Sequence, residues 1–353
     1  MGYDERNHDD ERDPGLLMRI AMLSPVAWRT PPRHYGPWEQ VAYNITEGLV
    51  RNGIDVTLFA TRDSFTAGKL DGVVERSYEE DKNQDAKVFE GLHIAAAFER
   101  AAEFDLLHNH FDFLPLTYSS LVRTPMVTTI EGFSSERILP VYQKYNDTTH
   151  YISVSNANRH PSLRYLATIY HGIRREEFDY VETPEDYLLF FGRIHPDKGP
   201  HEAITIAKAA KRKLILAGII QDRSYFKEKV EPFIDGDQIV FLGHAGPERR
   251  KALPGNAAAL LHPIGFVEPF GLSVAESMFC GTPVIAYNRG SMPELIVDGV
   301  SGFLVRHAEE AVTAVGALSQ VSRRRCFEHA TANFGVDRMV DGYIAAYRTI
   351  LES

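Results

Sequence analysis

Short apolar runs alternate with segments of helical spacing along nearly the whole chain, and this alternation limits the fold more than any other feature. Residues 19–23 read as a buried strand, and residues 39–51 carry Val41, Ala42, Ile45, Leu49 and Val50 at helical spacing before an Asn52-Gly53 stop. Residues 55–60 are a second strand. Helical segments near 95–102 and 114–122 then separate strands at 106–108, 126–130, 151–155 and 167–170. Strands joined through helices imply parallel βαβ units.

Residues 176–186 are polar and contain Pro184, which marks a linker. A second series follows, with strands at 187–191, 213–217, 239–242, 257–261, 284–286 and 303–305. The expected fold is therefore α/β, with two Rossmann-like, doubly wound domains facing across a cleft. Ligands in such folds sit at the carboxyl ends of strands. The expected bounds are 18–175, 187–330, and a helical 331–353 that crosses back to the first half. Residues 1–17 hold six acids and two arginines with no apolar core, and read as a disordered extension.

Charge narrows the function classes. A net charge of −10 argues against sequence-independent nucleic-acid binding and against strong attachment to anionic lipid. The local basic clusters 249–251 and 323–325 read as solvated helix surface. No apolar run approaches the roughly 20 residues of a membrane helix. Cys280 and Cys326 lack any paired spacing and read as buried packing in a reduced, cytoplasmic protein.

Two segments carry chemistry. Strand 187–191 runs into Gly192-Arg193-Ile194-His195-Pro196-Asp197-Lys198-Gly199. Gly192 lets backbone approach a ligand, and Arg193 and Lys198 are either a surface pair or a diphosphate clamp. The second is Glu268-Pro269-Phe270-Gly271-Leu272-Ser273-Val274-Ala275-Glu276, a glycine turn entering a helix that Gly281 and Pro283 end. Amides around Gly271, Leu272 and Ser273 suit a phosphate. Glu268 and Glu276 bracket that turn, so one carboxylate can serve each end of a ligand shaped like a nucleotide sugar. Other nucleotide folds fit poorly. No Gly-x-Gly-x-x-Gly follows residue 23, where the first glycine is Gly36, and no P-loop is present.

These segments, with Gly281-Thr282-Pro283-Val284-Ile285-Ala286 and Gly290…Pro293-Glu294, occur in the order seen in family 4 of the retaining, GT-B-fold glycosyltransferases. From residue 18 onward the chain resembles that family. His34-Tyr35-Gly36-Pro37-Trp38-Glu39 and His108-Asn109-His110 bring it nearest the subgroup containing the avilamycin glycosyltransferase. The resemblance implies a metal-independent, cofactor-free hexosyltransferase with UDP-glucose as the first donor and GDP-mannose the second. Its acceptor would be a small-molecule or glycan hydroxyl. By resemblance, Arg193 and Lys198 hold the diphosphate, and Glu268 binds donor-sugar hydroxyls. Gly192, Phe270, Gly271, Leu272 and Ser273 complete the donor site, and Glu276 takes the ribose. Gly36 approaches the phosphate, with Pro37 where relatives often have a second glycine.

His34, Tyr35, Trp38, His108 and His110 are acceptor-side candidates. His108-x-His110-x-Asp112 has metal-triad spacing, but a strand-end structural or acceptor role fits it better. Glu131 stands where relatives usually carry a histidine, at the transferring centre. Unlike neutral imidazole, an ionised glutamate can only accept hydrogen bonds. That departure leaves open a nucleotide-sugar-binding protein without transfer activity, and another GT-B enzyme such as a phosphorylase or epimerase is a separate alternative. His171-Gly172-Ile173 replaces the usual Asn-Gly-Ile and reads as a harmless interdomain turn.

Overall fold

A computed structural model describes residues 18–33 and 35–353; the extension 1–17 and His34 lie outside them. Among the described residues thirteen strands, all paired in parallel, form two sheets. The first comprises β1 (Arg19–Leu23), β2 (Asp55–Phe59), β3 (Lys69–Asp71), β4 (Leu106–Asn109), β5 (Met126–Ile130), β6 (His150–Ser153) and β7 (Ala167–Thr168), in the order β3-β2-β1-β4-β5-β6-β7. The second comprises β8 (Tyr187–Phe191), β9 (Lys213–Ala217), β10 (Ile239–Phe241), β11 (Ala259–His262), β12 (Val284–Tyr287) and β13 (Gly302–Val305), in the order β10-β9-β8-β11-β12-β13. Strand order reverses between β1 and β4 and again between β8 and β11. A crevice opens at each reversal, outside the carboxyl ends of those strands.

Several elements differ from the sequence expectation for local reasons. The helix expected near 95–102 spans Ala86–Glu99, because the Asp85 carboxylate caps it by accepting from the Val88 amide at 3.2 Å. Leu114–Leu121 is a 3₁₀ helix entered through Pro115 rather than an α-helix. The three-residue β3 and the helix Leu139–Tyr145 were too short to show a period.

Each sheet is covered on both faces. Strands β1, β2 and β4 pack one face against helix Pro37–Arg51 and against the last helix, Val336–Leu351. That last helix buries Val336, Met339, Val340, Tyr343, Ala346, Tyr347 and Ile350, a stripe of i, i+3, i+4 and i+7 spacing. Burying each of its larger side chains contributes on the order of 1.5–3 kcal/mol.

The linker 176–186 is fastened to the second half. Arg323 donates to the carbonyls of Val181 (2.7 Å), Gly255 (2.7 Å) and Ala257 (2.9 Å), and to Thr282 Oγ1 (2.8 Å). The expectation that cluster 323–325 is solvated surface therefore fails at Arg323, which joins the Val181 carbonyl of the linker to carbonyls of the second half. It holds for Arg324 and Arg325, both exposed. Cys280 and Cys326 are buried free thiols.

A buried polar chain ties the last helix to the first sheet. His108 bonds Tyr347 Oη through Nδ1 (2.6 Å) and Thr129 Oγ1 through Nε2 (2.8 Å), and Thr129 Oγ1 meets Tyr343 Oη at 3.0 Å. Tyr347→Phe keeps the ring but strands His108 Nδ1 without a partner. It is expected to cost about 1–3 kcal/mol in stability, read as a lower denaturant midpoint at unchanged m-value.

Candidate active site

The two crevices face each other and merge into one cleft of about 1290 Å³. One wall belongs to the second half. After β8 the chain turns through Gly192 and Arg193, and the short 3₁₀ helix Pro196–Lys198 delivers Lys198. After β11 it runs through His262 to Glu268 and enters helix Leu272–Phe279 at Gly271. Among the described residues no side chain caps this helix, and its first backbone bonds run from Val274 and Ala275 to the Gly271 carbonyl. The amides of Leu272 and Ser273 thus stand at an uncapped N-terminus on the cleft wall, with the helix dipole favouring an anion there.

Lys198 pairs with Glu268 and lies 4.7 Å over the Phe266 ring. His262 Nε2 is 3.5 Å from the same carboxylate oxygen. Burial opposes ionisation of Glu268, but His262 and the Lys198 ammonium outweigh it and hold the carboxyl at about 2. Glu268 is thus an ionised acceptor of hydrogen bonds at any physiological pH. Arg193 donates to the Gln221 side chain at the rim.

The loop from Glu268 to Gly271 is held from beneath. Ser291 donates from its amide to the Glu268 carbonyl (3.0 Å) and from its hydroxyl to the Phe270 carbonyl (2.6 Å). Gly290 makes this possible. Its φ is 59°, and a Cβ there would lie 2.6 Å from the Glu268 carbonyl oxygen. Four residues on, Glu294 reaches across to the first half. Its carboxylate accepts from the amides of Asn156 (2.8 Å) and Ala157 (2.7 Å), from Asn156 Nδ2 (3.0 Å) and from Tyr170 Oη (2.8 Å). The Gly290-to-Glu294 motif therefore supports the turn and latches the two halves together.

Glu276 is buried and paired with Arg250, which shares the cleft wall. This corrects the reading of cluster 249–251 as solvated: Arg249 and Lys251 are exposed, but Arg250 faces the cleft.

The first half supplies the opposite wall. Tyr35, Gly36 and Trp38 line it, and Gly36 closes the loop so tightly that a Cβ would lie 2.9 Å from both Glu39 Oε2 and Pro32. His108 and His110 do not line the cleft as expected for acceptor ligands. Both are fully buried, because the polar chain under the last helix engages His108 and Glu131 engages His110 at 3.0 Å. Asp112, third in that spacing, turns away from both rings to accept from Tyr142 Oη (2.6 Å) and Ser134 Oγ (3.1 Å).

His171 is no passive turn either. It lines the cleft, contacts Glu131 at 2.9 Å and packs edge-on against Phe270. The sequence marks Glu39 only as the acid that opens the helical segment 39–51 and closes the His34-to-Glu39 segment. It sits in the first turn of helix Pro37–Arg51, buried, and accepts from the Trp28 amide at 3.0 Å. An acid at the start of a helix ordinarily faces solvent.

Comparison with known proteins places this architecture. The solved structure of sucrose-phosphate synthase from Thermosynechococcus elongatus superposes with a TM-score of 0.77 at 19% identity, over 95% of this chain and 99% of that one. AviGT4, a glycosyltransferase involved in avilamycin A biosynthesis, gives 0.69 at 22% identity over 95% and 98%. Anabaena HepE in complex with UDP and glucose gives 0.72 at 19% over 94% and 100%. The chain has the GT-B fold. Residues 173–330 match the family model for glycosyl transferases group 1. An uncharacterized glycosyltransferase of Methanocaldococcus jannaschii is 26% identical over 82% of this chain and 85% of its own. A D-inositol 3-phosphate glycosyltransferase of Mycolicibacterium smegmatis is 33% identical over 47% of this chain and 41% of its own. The chain spans about half the length of most of the curated relatives it matches. Among the described residues, no helix is long and apolar enough to cross a membrane.

Burial pushes the Glu39 carboxyl up to about 7, against the hydrogen bond it accepts from Trp28. The folded state therefore prefers it protonated, and this contribution to stability is lost as pH rises from the unfolded carboxyl value through 7. Glu39→Gln keeps the accepting oxygen without the charge. Its thermal midpoint is expected to match the parent's at about pH 4 and to exceed it increasingly toward about pH 8. A constant offset across that range would show that Glu39 ionises freely.

Proposed function

We propose that the protein is a retaining, metal-independent glycosyltransferase that moves a hexose from a nucleotide sugar to a hydroxyl acceptor. UDP-glucose is the first donor and GDP-mannose the second. The observation that carries this reading is the wall formed by Lys198, the ionised Glu268 and the uncapped N-terminus of helix Leu272–Phe279, with Arg193 at its rim. Cations and amides together suit a diphosphate, and an adjacent carboxylate that cannot protonate suits sugar hydroxyls. The UDP and glucose named with Anabaena HepE support the same choice of donor. The His34-to-Glu39 and His108-to-His110 segments favour a place near the avilamycin subgroup.

In this reading the bond between the sugar carbon and the phosphate oxygen breaks, and its electron pair stays on the diphosphate. Lys198, Arg193 and the amides of Leu272 and Ser273 stabilise that charge, which grows only as the bond opens. Glu268 orients the sugar through its hydroxyls. Glu276, buried at the far end of the wall, accepts from the ribose and remains fixed by Arg250. The acceptor oxygen bonds to the sugar carbon on the face the phosphate leaves, and its proton passes to the departing phosphate oxygen. No metal is needed where cations and amides already offset the diphosphate charge.

A mass-spectrometric screen for nucleoside diphosphate release across nucleotide sugars is expected to show turnover, strongest with UDP-glucose. Lys198→Ala should lower kcat by about 10²–10³-fold, the range for losing one charge-stabilising group. Binding without release in the presence of a broad acceptor panel would favour a nucleotide-sugar-binding protein. Absence of calorimetric binding to UDP, GDP and their sugars at millimolar concentration would end the proposal.

A further inference from the structure

Glu131 is the acid of the cleft wall that meets two imidazoles. Its side chain is 3% exposed, and both oxygens are engaged: Oε1 by His110 Nδ1 at 3.0 Å and Oε2 by His171 Nε2 at 2.9 Å. The three residues come from separate elements. His110 follows β4, Glu131 follows β5, and His171 lies in the connection between the two sheets. An ionised carboxylate only accepts, so each ring carries its proton on the nitrogen that faces Glu131. The far nitrogens, His110 Nε2 and His171 Nδ1, are buried with no hydrogen-bond partner among the described residues. The two rings thus spend their hydrogen bonding on this one carboxylate. Glu131 and His171 line the cleft, and His171 meets Phe270 of the donor-side loop with ring centroids 4.9 Å apart.

We propose that His171, with His110 behind it, is a positioning residue that keeps Glu131 an oriented, ionised carboxylate facing the positive charge that develops on the transferred sugar carbon. The proposal rests on the glycosyl-transfer reading. In this role the carboxylate acts through its field, with the two imidazoles fixing the direction in which its charge faces. The imidazole at 171 and the glutamate at 131 are in this sense one device.

Electrostatics agree with the geometry. Burial drives Glu131 toward the neutral form, but its interactions with the His171 and His110 rings overcome it and hold the carboxyl at about 2. The other ionisable groups coupled to it are Tyr343 on the last helix and Glu39 on the first. Neither favours a carboxylate, since a neutral phenol carries no charge and Glu39 repels when ionised. Without His171, only His110 opposes burial. Glu131 then takes up a proton at higher pH.

The test compares the full-length parent with His171→Phe, His171→Gln and Glu131→Gln. Gln places an amide N–H near the position of Nε2 and so restores the hydrogen bond without the imidazole ring. In His171→Phe, kcat for donor turnover is expected to fall about 10–100-fold with donor KM within about 3-fold. The acid limb of its rate profile should move to higher pH. His171→Gln should recover a substantial part of kcat. Infrared titration of the carboxyl band, differenced against Glu131→Gln, reads the same residue without turnover. It should show Glu131 ionised at about pH 4 in the parent but protonating above that in His171→Phe.

An infrared shift in a protein that turns over no donor would leave the coupling standing and remove the glycosyl-transfer reading. An unchanged band would overturn the coupling, and a shifted band with parental kcat would overturn its role in transfer.

Discussion

The salt link between Lys198 and Glu268 is the contact on which the rest of the site depends. A carboxylate this deeply buried would ordinarily protonate. Here it stays ionised because Lys198 arrives from the loop after β8 while Glu268 and His262 arrive from the segment after β11. Those strands are neighbours at the reversal of strand order, so two loops distant in sequence end side by side. The uncapped helix N-terminus lies a few residues beyond. Cation, carboxylate and amides thus form one wall because the sheet order brings their strand ends together.

That wall is rigid for backbone reasons. Ser291 binds the carbonyls on either side of Pro269, and Gly290 lies so close that no side chain fits. Glu294, in the same turn, accepts four hydrogen bonds from the first half. A movement of one half against the other would therefore strain the turn beneath Glu268. Site geometry and interdomain geometry are coupled through a few residues, none of which need touch a ligand.

The two walls hold their acids in the same way and for different purposes. Glu268 is ionised beside a lysine, and Glu131 is ionised between two imidazoles. Glu39, with only a backbone amide to bind, is pushed the other way. Burial is common to the three; the donors each one meets decide its charge.

Much of this was legible in the chain alone. The alternation of strand and helix periods determined two parallel sheets, because a strand buried on both faces must be almost wholly apolar. The glycine turn between Glu268 and Glu276, with Arg193 and Lys198 after a strand, marked one wall of the cleft, since local spacing puts those groups at strand and helix ends. Pairings across long separations were not legible. Nothing in the neighbourhood of Arg250 announces Glu276, nothing near Arg323 announces the linker carbonyls, and His171 looked like part of a turn until folding set it against Glu131. His108 and His110 show the same limit in reverse, their strand-end spacing suggesting ligands where the last helix buries them. Sequence determines which groups stand at the ends of elements, because that depends on residues a few places apart. Which charge a buried group carries, and whether it faces the cleft, depends on partners dozens or hundreds of residues away, and only the tertiary structure decides that.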